Sequence, residues 1–175
     1  RLTAFPEIVQ SAAADYAPAL PNTVPLAVGH LNDDGALDFV TSIGLHVSAV
    51  EGKAVSYRTL LAPKVGPRWD AAVIADFNGN GLPDVAVAPS KGTGLDFYNG
   101  AGGGAFNYAK VPTTGALEHL AVGDFDGDLL TDLAVDERGS SEVGGDTLSV
   151  LFGQSAGAPA QPIAFGRLGQ IGQVI

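Results

Sequence analysis

The chain has 175 residues, of which 46% are hydrophobic and 16% charged, and this is the composition of one globular domain with its own core. Its formal net charge of −10 disfavours nucleic acid and anionic membranes as partners, because phosphate binding requires clustered basic residues. The absence of cysteine excludes disulfides and thiolate metal sites, and no apolar run approaches the roughly 20 residues that span a bilayer.

The amino-terminal part carries the only stretch that favours a helix. Residues 6–17 are rich in alanine and are compatible with one short helix. The 24 glycines and 11 prolines otherwise favour short strands joined by tight turns. The chain begins at Arg1 and contains no methionine, so we expect it to be a processed or excised segment.

One motif then occurs three times along the chain. The copies are LAVGHLNDDGALDFVTS at 26–42, AVIADFNGNGLPDVAVA at 72–88 and LAVGDFDGDLLTDLAVD at 120–136. Each consists of an apolar strand, a loop rich in Asp and Asn, and a second apolar strand. Aligned on Asp38, Asp84 and Asp132, the copies lie 46 and 48 residues apart. Further apolar stretches predict two more strands in each copy, at 44–50 and 55–61, 94–100 and 106–112, and 147–153 and 162–168.

Four short strands in each unit of about 47 residues predict an all-β fold, a β-propeller of four-stranded blades. Helical repeats of this length would need apolar spacings of three to four residues, which are absent. We expect about three full blades with partial blades at both ends, in a segment of a larger ring. The predicted division is 1–23 for an outer strand of a preceding blade or an extension, 24–69 for blade 1, 70–117 for blade 2, 118–167 for blade 3 and 168–175 for the start of a fourth blade.

The three loops predict metal sites. Side chains with ligand atoms occupy loop positions 1, 3, 5 and 9, and the backbone carbonyl of position 7 adds a further oxygen. Six to eight hard oxygen ligands suit Ca²⁺, whereas Mg²⁺ demands a stricter octahedron and Zn²⁺ prefers nitrogen or sulfur. The predicted ligands are Asn32, Asp34, Ala36 and Asp38; Asp76, Asn78, Asn80, Leu82 and Asp84; and Asp124, Asp126, Asp128, Leu130 and Asp132.

The three loops differ in ways that bear on their occupancy. Asp, Asn and Gly also crowd ordinary turns, but three copies in register favour Ca²⁺. His30 stands at position 1 of the first loop and is a poor Ca²⁺ ligand, so we expect that loop to be occupied least, with Asp33 or water completing it. Glycine at position 6 (Gly35, Gly81) permits a sharp turn, whereas Leu129 in the third loop would pay about 1–2 kcal/mol for a left-handed conformation.

The loops and their spacing resemble the FG-GAP (or VCBS) repeats of integrin alpha-subunit propellers and of many bacterial surface proteins. The third unit contains Phe152-Gly153 and then Gly157-Ala158-Pro159, and looser versions occur at 97–106 and in VEGKAV at 50–55. The resemblance covers about residues 24–175. It implies a propeller stabilised by up to three Ca²⁺ ions, in an extracellular, cell-surface or periplasmic setting.

We therefore expect a non-catalytic module of an exported protein that acts in adhesion, recognition or assembly with a protein partner. One alternative is a lectin-like, carbohydrate-binding propeller that uses aromatic residues for stacking, although packing between blades is the preferred explanation for these residues. A further alternative is an accessory domain of a secreted hydrolase. Sequence motifs of serine hydrolases, zinc proteases and phosphate-binding loops are absent, and the glycine-rich 100–104 indicates a hairpin. The aromatic candidates are Tyr57, Trp69, Tyr98 and Tyr108, and the nucleophile or base candidates are His30, His46, His119, Ser90, Ser140 and Ser141.

Overall fold

A computed structural model describes residues 23–51, 54–61, 68–138, 146–155 and 163–167. Within these ranges all regular structure is β-strand, which confirms the all-β class. Several predictions lie outside the described residues, as do residues 1–22: the helix at 6–17, Ser140, Ser141, Gly157-Ala158-Pro159 and the fourth blade at 168–175.

The strands are β1 Pro25–Gly29, β2 Asp38–Thr41, β3 Gly44–Glu51, β4 Ala54–Leu61, β5 Trp69–Ala75, β6 Asp84–Pro89, β7 Leu95–Gly102, β8 Ala105–Val111, β9 Ala116–Gly123, β10 Asp132–Arg138, β11 Thr147–Leu151 and β12 Ile163–Arg167.

The twelve strands form three four-stranded sheets, one for each copy of the repeat. Sheet 1 contains β1–β4, sheet 2 contains β5–β8 and sheet 3 contains β9–β12, and strands that follow one another in the chain are antiparallel neighbours. This up-and-down order is the one expected of a propeller blade. β5 and β9 begin at Trp69 and Ala116, one and two residues before the predicted borders at 70 and 118.

The sheets pack face to face through two separate cores. β6 lies in the middle of this stack, and its six residues are all buried because alternate side chains point into different cores. Val85 and Val87 enter the core between sheets 1 and 2, and Ala86 and Ala88 enter the core between sheets 2 and 3. The first core also contains Leu31, Val40, Leu45, Val47, Trp69, Ala72 and Tyr98, and the second contains Phe77, Leu95, Phe97, Val111, Leu117, Leu133, Val135 and Leu151.

The first strands of the sheets lie side by side. β1 contacts β5, and β5 contacts β9, while no comparably extensive contact joins the last strands among the described elements. Sheets that converge along their first strands and separate toward their fourth strands have the arrangement of consecutive propeller blades. Closure of the ring stays a prediction.

Candidate metal centre

The three predicted loops occupy equivalent places in the fold, and we call them loop 1 (residues 30–37), loop 2 (76–83) and loop 3 (124–131). Each joins the first strand of its sheet to the second. Because the sheets have the same strand order and lie side by side, the three loops project from the same end of the stack. The residue at position 9 of each motif is the first residue of the second strand.

The position-9 aspartates are buried anchors. Asp38, Asp84 and Asp132 are completely shielded from solvent. In each, one carboxylate oxygen accepts the backbone N–H of loop position 2, over 2.6 Å from Leu31, 3.0 Å from Phe77 and 2.6 Å from Phe125. The other oxygen accepts a backbone N–H at or after the third strand, over 2.6 Å from Ser48, 2.7 Å from Gly100 and 2.8 Å from Gly153. Each aspartate therefore joins its loop to the third strand, besides being a predicted metal ligand.

Two of these partner residues have to be glycine. A Cβ atom at Gly100 would lie 2.3 Å from the carbonyl oxygen of Pro83, and one at Gly153 would lie 2.7 Å from that of Thr131. Any side chain would push the third strand away from the loop and break the bond to the aspartate. Gly153 is the glycine of the Phe152-Gly153 pair, so this close approach is a physical reason for the FG signature.

Loop 3 gathers the densest group of carboxylates. One oxygen from each of Asp124, Asp126 and Asp128 lies within 4.8 Å of the others, and all three side chains are exposed. The loop turns around them because they accept its own backbone N–H groups: Gly127 bonds to Asp124 over 2.7 Å, and Leu130 bonds to Asp128 over 2.8 Å. The ligand atoms therefore face the inside of the turn.

Like charges crowd this group and alter its protonation. The N–H of Asp128 bonds to Asp126 over 3.0 Å and lowers the pKa of that carboxyl. Desolvation and repulsion from Asp128, Asp132 and Asp124 act in the opposite direction, and the pKa of Asp126 lies above its usual value. The ion pairs found among the described residues do not include these aspartates. A divalent cation bound among these carboxylates would reduce this repulsion.

Loop 2 has the same turn with fewer charges. Asp76 accepts the N–H of Gly81 over 2.7 Å, and Asn80 accepts that of Leu82 over 2.8 Å. The amide oxygen of Asn78 accepts the N–H of Asn80 over 3.1 Å. The side-chain oxygens of positions 1, 3 and 5 thus turn inward as in loop 3, but only one of these three residues is an acid.

Loop 1 is closed by its own side chains. Nδ1 of His30 donates to the carbonyl oxygen of Ala36 over 2.8 Å, so positions 1 and 7, both predicted metal-facing, bond directly to each other. The hydroxyl of Ser48 bonds to Asp34 over 2.9 Å and to Asp38 over 2.7 Å. Burial raises the pKa of Asp34. Hydrogen bonds from the Ala36 N–H, Ser48 and Asn32, together with the nearby His30, lower this pKa by more, so the net shift is downward.

Position 6 shows the backbone strain expected from the sequence. Leu129 has a φ of 71°, close to the 78° of Gly35 and the 79° of Gly81 at the same position. It is the one non-glycine residue with positive φ among the described residues. The third loop therefore keeps the left-handed turn of the other two, with a leucine in place of glycine.

The other candidates from the sequence are mostly part of the packing. Trp69 and Tyr98 are buried in the core between sheets 1 and 2, as predicted for packing residues, with ring centroids 6.0 Å apart. His46 is buried on β3, where its two ring nitrogens contact the hydroxyls of Thr41 and Thr59. Tyr57 and Tyr108 are exposed. The glycine-rich 100–104 forms the β7–β8 hairpin, as predicted.

Sequence reasoning missed several residues that shape the loops. Ser48 and Gly100 lie on third strands, more than ten residues from the loops to which they bond. The glycine in each "FG-like" stretch was the available signal for Gly100 and Gly153, and its partner could be found only from the fold. Ser48 had no such signal.

The comparisons with known proteins agree with this arrangement. Residues 67–135 match the family model described as FG-GAP-like repeat, a span that includes loops 2 and 3, all of sheet 2 and β9. No curated protein and no solved structure gives a significant match to the chain. No helix among the described residues is long and apolar enough to cross a membrane. The match supports the resemblance to FG-GAP repeats for residues 67–135, where two of the three strand–loop–strand units lie.

Proposed function

We propose that the chain is a calcium-binding, FG-GAP-type propeller module of an exported protein, acting without catalysis in adhesion, recognition or assembly. Loops 2 and 3 are the principal Ca²⁺ sites, and loop 1 binds most weakly. The observation that carries the proposal is the exposed group formed by Asp124, Asp126 and Asp128, whose oxygens lie within 4.8 Å of one another.

The chemistry of the donors supports Ca²⁺ over other ions. Loop 3 offers only carboxylate and backbone oxygens, which are hard ligands, and no nitrogen or sulfur. Loop 2 offers one carboxylate and two amides in the same inward arrangement. A flexible ring of mixed oxygen ligands is typical of Ca²⁺, which accepts six to eight of them.

Bound Ca²⁺ would act mainly on stability. With a dissociation constant near 0.1 mM and calcium near 1 mM, each occupied site adds about 1.4 kcal/mol to the free energy of unfolding. Three divalent ions would also offset six of the ten net negative charges. The resemblance of residues 67–135 to FG-GAP-like repeats implies a setting where calcium is plentiful, and this supports an extracellular, cell-surface or periplasmic location.

A role in binding a protein partner follows from the absence of a catalytic grouping among the described candidates. His46 is held between two threonines in the interior, and His30 is engaged by a backbone carbonyl. The buried Trp69 and Tyr98 offer no ring face for a sugar, which leaves only the exposed Tyr57 and Tyr108 for the lectin-like alternative.

A thermal melt tests the proposal, with millimolar Ca²⁺, with Mg²⁺ and with excess EGTA at matched ionic strength. We expect Ca²⁺ to raise the midpoint well above the values in Mg²⁺ and EGTA. Asp126→Asn should weaken the loop 3 contribution without lowering the midpoint in EGTA, since it removes crowded charge but keeps a side-chain oxygen that can accept the N–H of Asp128. Glu51→Gln, an exposed acid outside the loops, is the matched control and should keep the full Ca²⁺ effect.

A gain-of-function variant sharpens the test. His30→Asp replaces the imidazole that bonds to Ala36 with the acid found at position 1 of the other loops. We expect calorimetric titration to show stronger binding at loop 1 or one more bound Ca²⁺ per chain. Equal midpoints in Ca²⁺, Mg²⁺ and EGTA, with no binding heat, would reject Ca²⁺ and leave the loops as polar turns.

A further inference from the structure

A second cluster of potential metal ligands, formed by two carboxylates and one imidazole, lies toward the other end of sheet 3. β9 runs from Ala116 to Gly123, where loop 3 begins, so Glu118 and His119 near its start lie at the end opposite the loop. Their partner on β10 is Asp136, which pairs with His119. One ligand atom from each of these three residues lies within 4.8 Å of the others.

A β-bulge brings two consecutive residues together. Asp136 pairs with His119 and the next residue, Glu137, pairs with Leu117, so Glu118 is an extra residue on β9. Consecutive side chains of a regular strand point to opposite faces, whereas a bulge changes their direction. This is how Glu118 and His119 both approach Asp136, and bulges of this kind recur beside functional sites.

The group is incompletely satisfied within the described part of the chain. Nδ1 of His119 donates to Oδ2 of Asp136 over 3.1 Å. The other carboxylate oxygen of Asp136, Oδ1, is buried and has no hydrogen-bond partner there. The side chain of His119 is 78% exposed and that of Asp136 only 19%, so an exposed imidazole lies over a largely buried carboxylate. A buried carboxylate oxygen is costly unless a donor or a cation satisfies it.

A cavity of about 260 Å³ opens beside the group, between sheets 2 and 3. Its lining includes Glu118, His119, Asp70 and Ser90, and the buried hydroxyl of Ser90 also lacks a hydrogen-bond partner among the described residues. Polar groups from two sheets therefore converge on one space large enough for a small ligand. The guanidinium of Arg138 lies there too and pairs with Glu118.

We propose that Glu118, His119 and Asp136 bind a Zn²⁺ ion whose fourth ligand position faces this cavity. An imidazole nitrogen favours a transition metal over Ca²⁺, and two carboxylates match its two charges. Tetrahedral Zn²⁺ with bonds of about 2.1 Å holds its ligand atoms about 3.4 Å apart. The exposed His119 and the half-buried Glu118 can reach that separation by rotating their side chains. The site is independent of the proposed Ca²⁺ sites.

Arg138 provides a specific test of the proposal. Its guanidinium pairs with the Glu118 carboxylate and so competes with the metal for that ligand. Removing Arg138 should therefore strengthen Zn²⁺ binding, whereas the variant would gain no Zn²⁺ affinity if these residues formed only an ion-pair network. Arg138 is 65% exposed, so its replacement should leave the fold intact.

The experiment is a Zn²⁺ titration of the whole chain by calorimetry, in saturating Ca²⁺ so that the acidic loops are filled, with Co²⁺ absorption as a spectroscopic probe. We expect one equivalent of Zn²⁺ and tetrahedral Co²⁺ bands. His119→Ala and Asp136→Asn should each weaken binding by about tenfold or more. Arg138→Gln should strengthen it by about twofold to fivefold.

Glu51→Gln is the matched control, because it removes an exposed acid on sheet 1, away from this group, and should leave Zn²⁺ affinity unchanged. Circular dichroism verifies that each variant is folded. Absence of Zn²⁺ binding overturns the proposal. So does binding that survives His119→Ala, that disappears with Glu51→Gln, or that weakens with Arg138→Gln. Each outcome is separate from the Ca²⁺ melt, so failure of one proposal leaves the other standing.

Discussion

Leu129 shows how a single residue can oppose the turn that contains it. Its φ of 71° places Cβ close to the following carbonyl oxygen, a conformation that costs an L-residue about 1–2 kcal/mol. Its side chain is 90% exposed, so no packing compensates for this cost. Gly35 and Gly81 adopt the same φ without a Cβ atom.

Replacing Leu129 with glycine should therefore stabilise the protein. We expect Leu129→Gly to raise the free energy of unfolding by about 0.5–1 kcal/mol, because relief of strain exceeds the added entropy of the unfolded chain. Urea denaturation in EGTA measures this without a contribution from bound calcium. The reverse change, Gly81→Leu, should destabilise by a similar amount, and open space around Gly81 removes steric clash as a cause. A loss of stability in Leu129→Gly would show that the leucine makes a favourable contact.

The aspartates within loop 3 and the aspartate that anchors it also make opposite contributions. Asp132 is buried and satisfies the backbone N–H groups of Phe125 and Gly153, whereas Asp128 is exposed among like charges. We expect Asp132→Asn to cost about 1–3 kcal/mol in EGTA, because its amide group cannot accept one of the two N–H donors. Asp128→Asn should be neutral or slightly stabilising in EGTA and should lose stability only in Ca²⁺. Equal losses from the two changes in EGTA would contradict this division of roles.

At the scale of the element, loops 1 and 2 each contribute an apolar residue to the next interface. Leu31 and Phe77 stand at position 2 of loops 1 and 2 and are buried in the cores that follow their sheets. Phe125 has the same position in loop 3 but is 53% exposed. The repeat thus places a phenylalanine at the same loop position in a buried and in an exposed environment. A comparison of the two measures the contribution of packing apart from that of the loop conformation.

The matched pair measures that packing. Phe77→Ala should cost about 3–5 kcal/mol, because it leaves a cavity among residues such as Phe97, whose ring centroid lies 5.3 Å away. Phe125→Ala should cost less than about 1 kcal/mol, since about half of its surface is already in water. Chemical denaturation of both variants gives the comparison. A large loss in Phe125→Ala would mean that another surface covers it in solution.

The predictable part of these elements is the part encoded locally. Apolar stretches at 94–100 and 147–153 predicted β7 and β11, and the alternation of acids predicted the inward-facing loops. The anchoring of Asp132 by Gly153 depends on a contact across 21 residues. The bulge that unites Glu118 with His119 depends on the register of a neighbouring strand. Neither leaves a periodic signal in the sequence, so both required the fold.

At the scale of the whole molecule, sheet 2 couples the two cores. β6 is buried on both faces, with valines toward sheet 1 and alanines toward sheet 3. Sheet 2 cannot separate from either neighbour without exposing one side of this strand to water. Loop contacts add to the coupling, since the N–H of Gln154 in sheet 3's last loop bonds to the carbonyl oxygen of Phe77 over 3.3 Å. We therefore expect the sheets to unfold together.

The single tryptophan provides the test, because Trp69 reports on the core between sheets 1 and 2 while Leu133 lies in the other core. We expect Leu133→Ala to cost about 2–5 kcal/mol and to lower the urea midpoint seen by Trp69 fluorescence as much as that seen by circular dichroism. Val122→Ala, at an exposed position on the same sheet, should shift neither midpoint much. An unchanged Trp69 transition beside an earlier circular dichroism transition would show instead that sheet 3 unfolds alone. Coincident shifts would make the three repeats one cooperative unit, in which Ca²⁺ bound at any loop stabilises all of them.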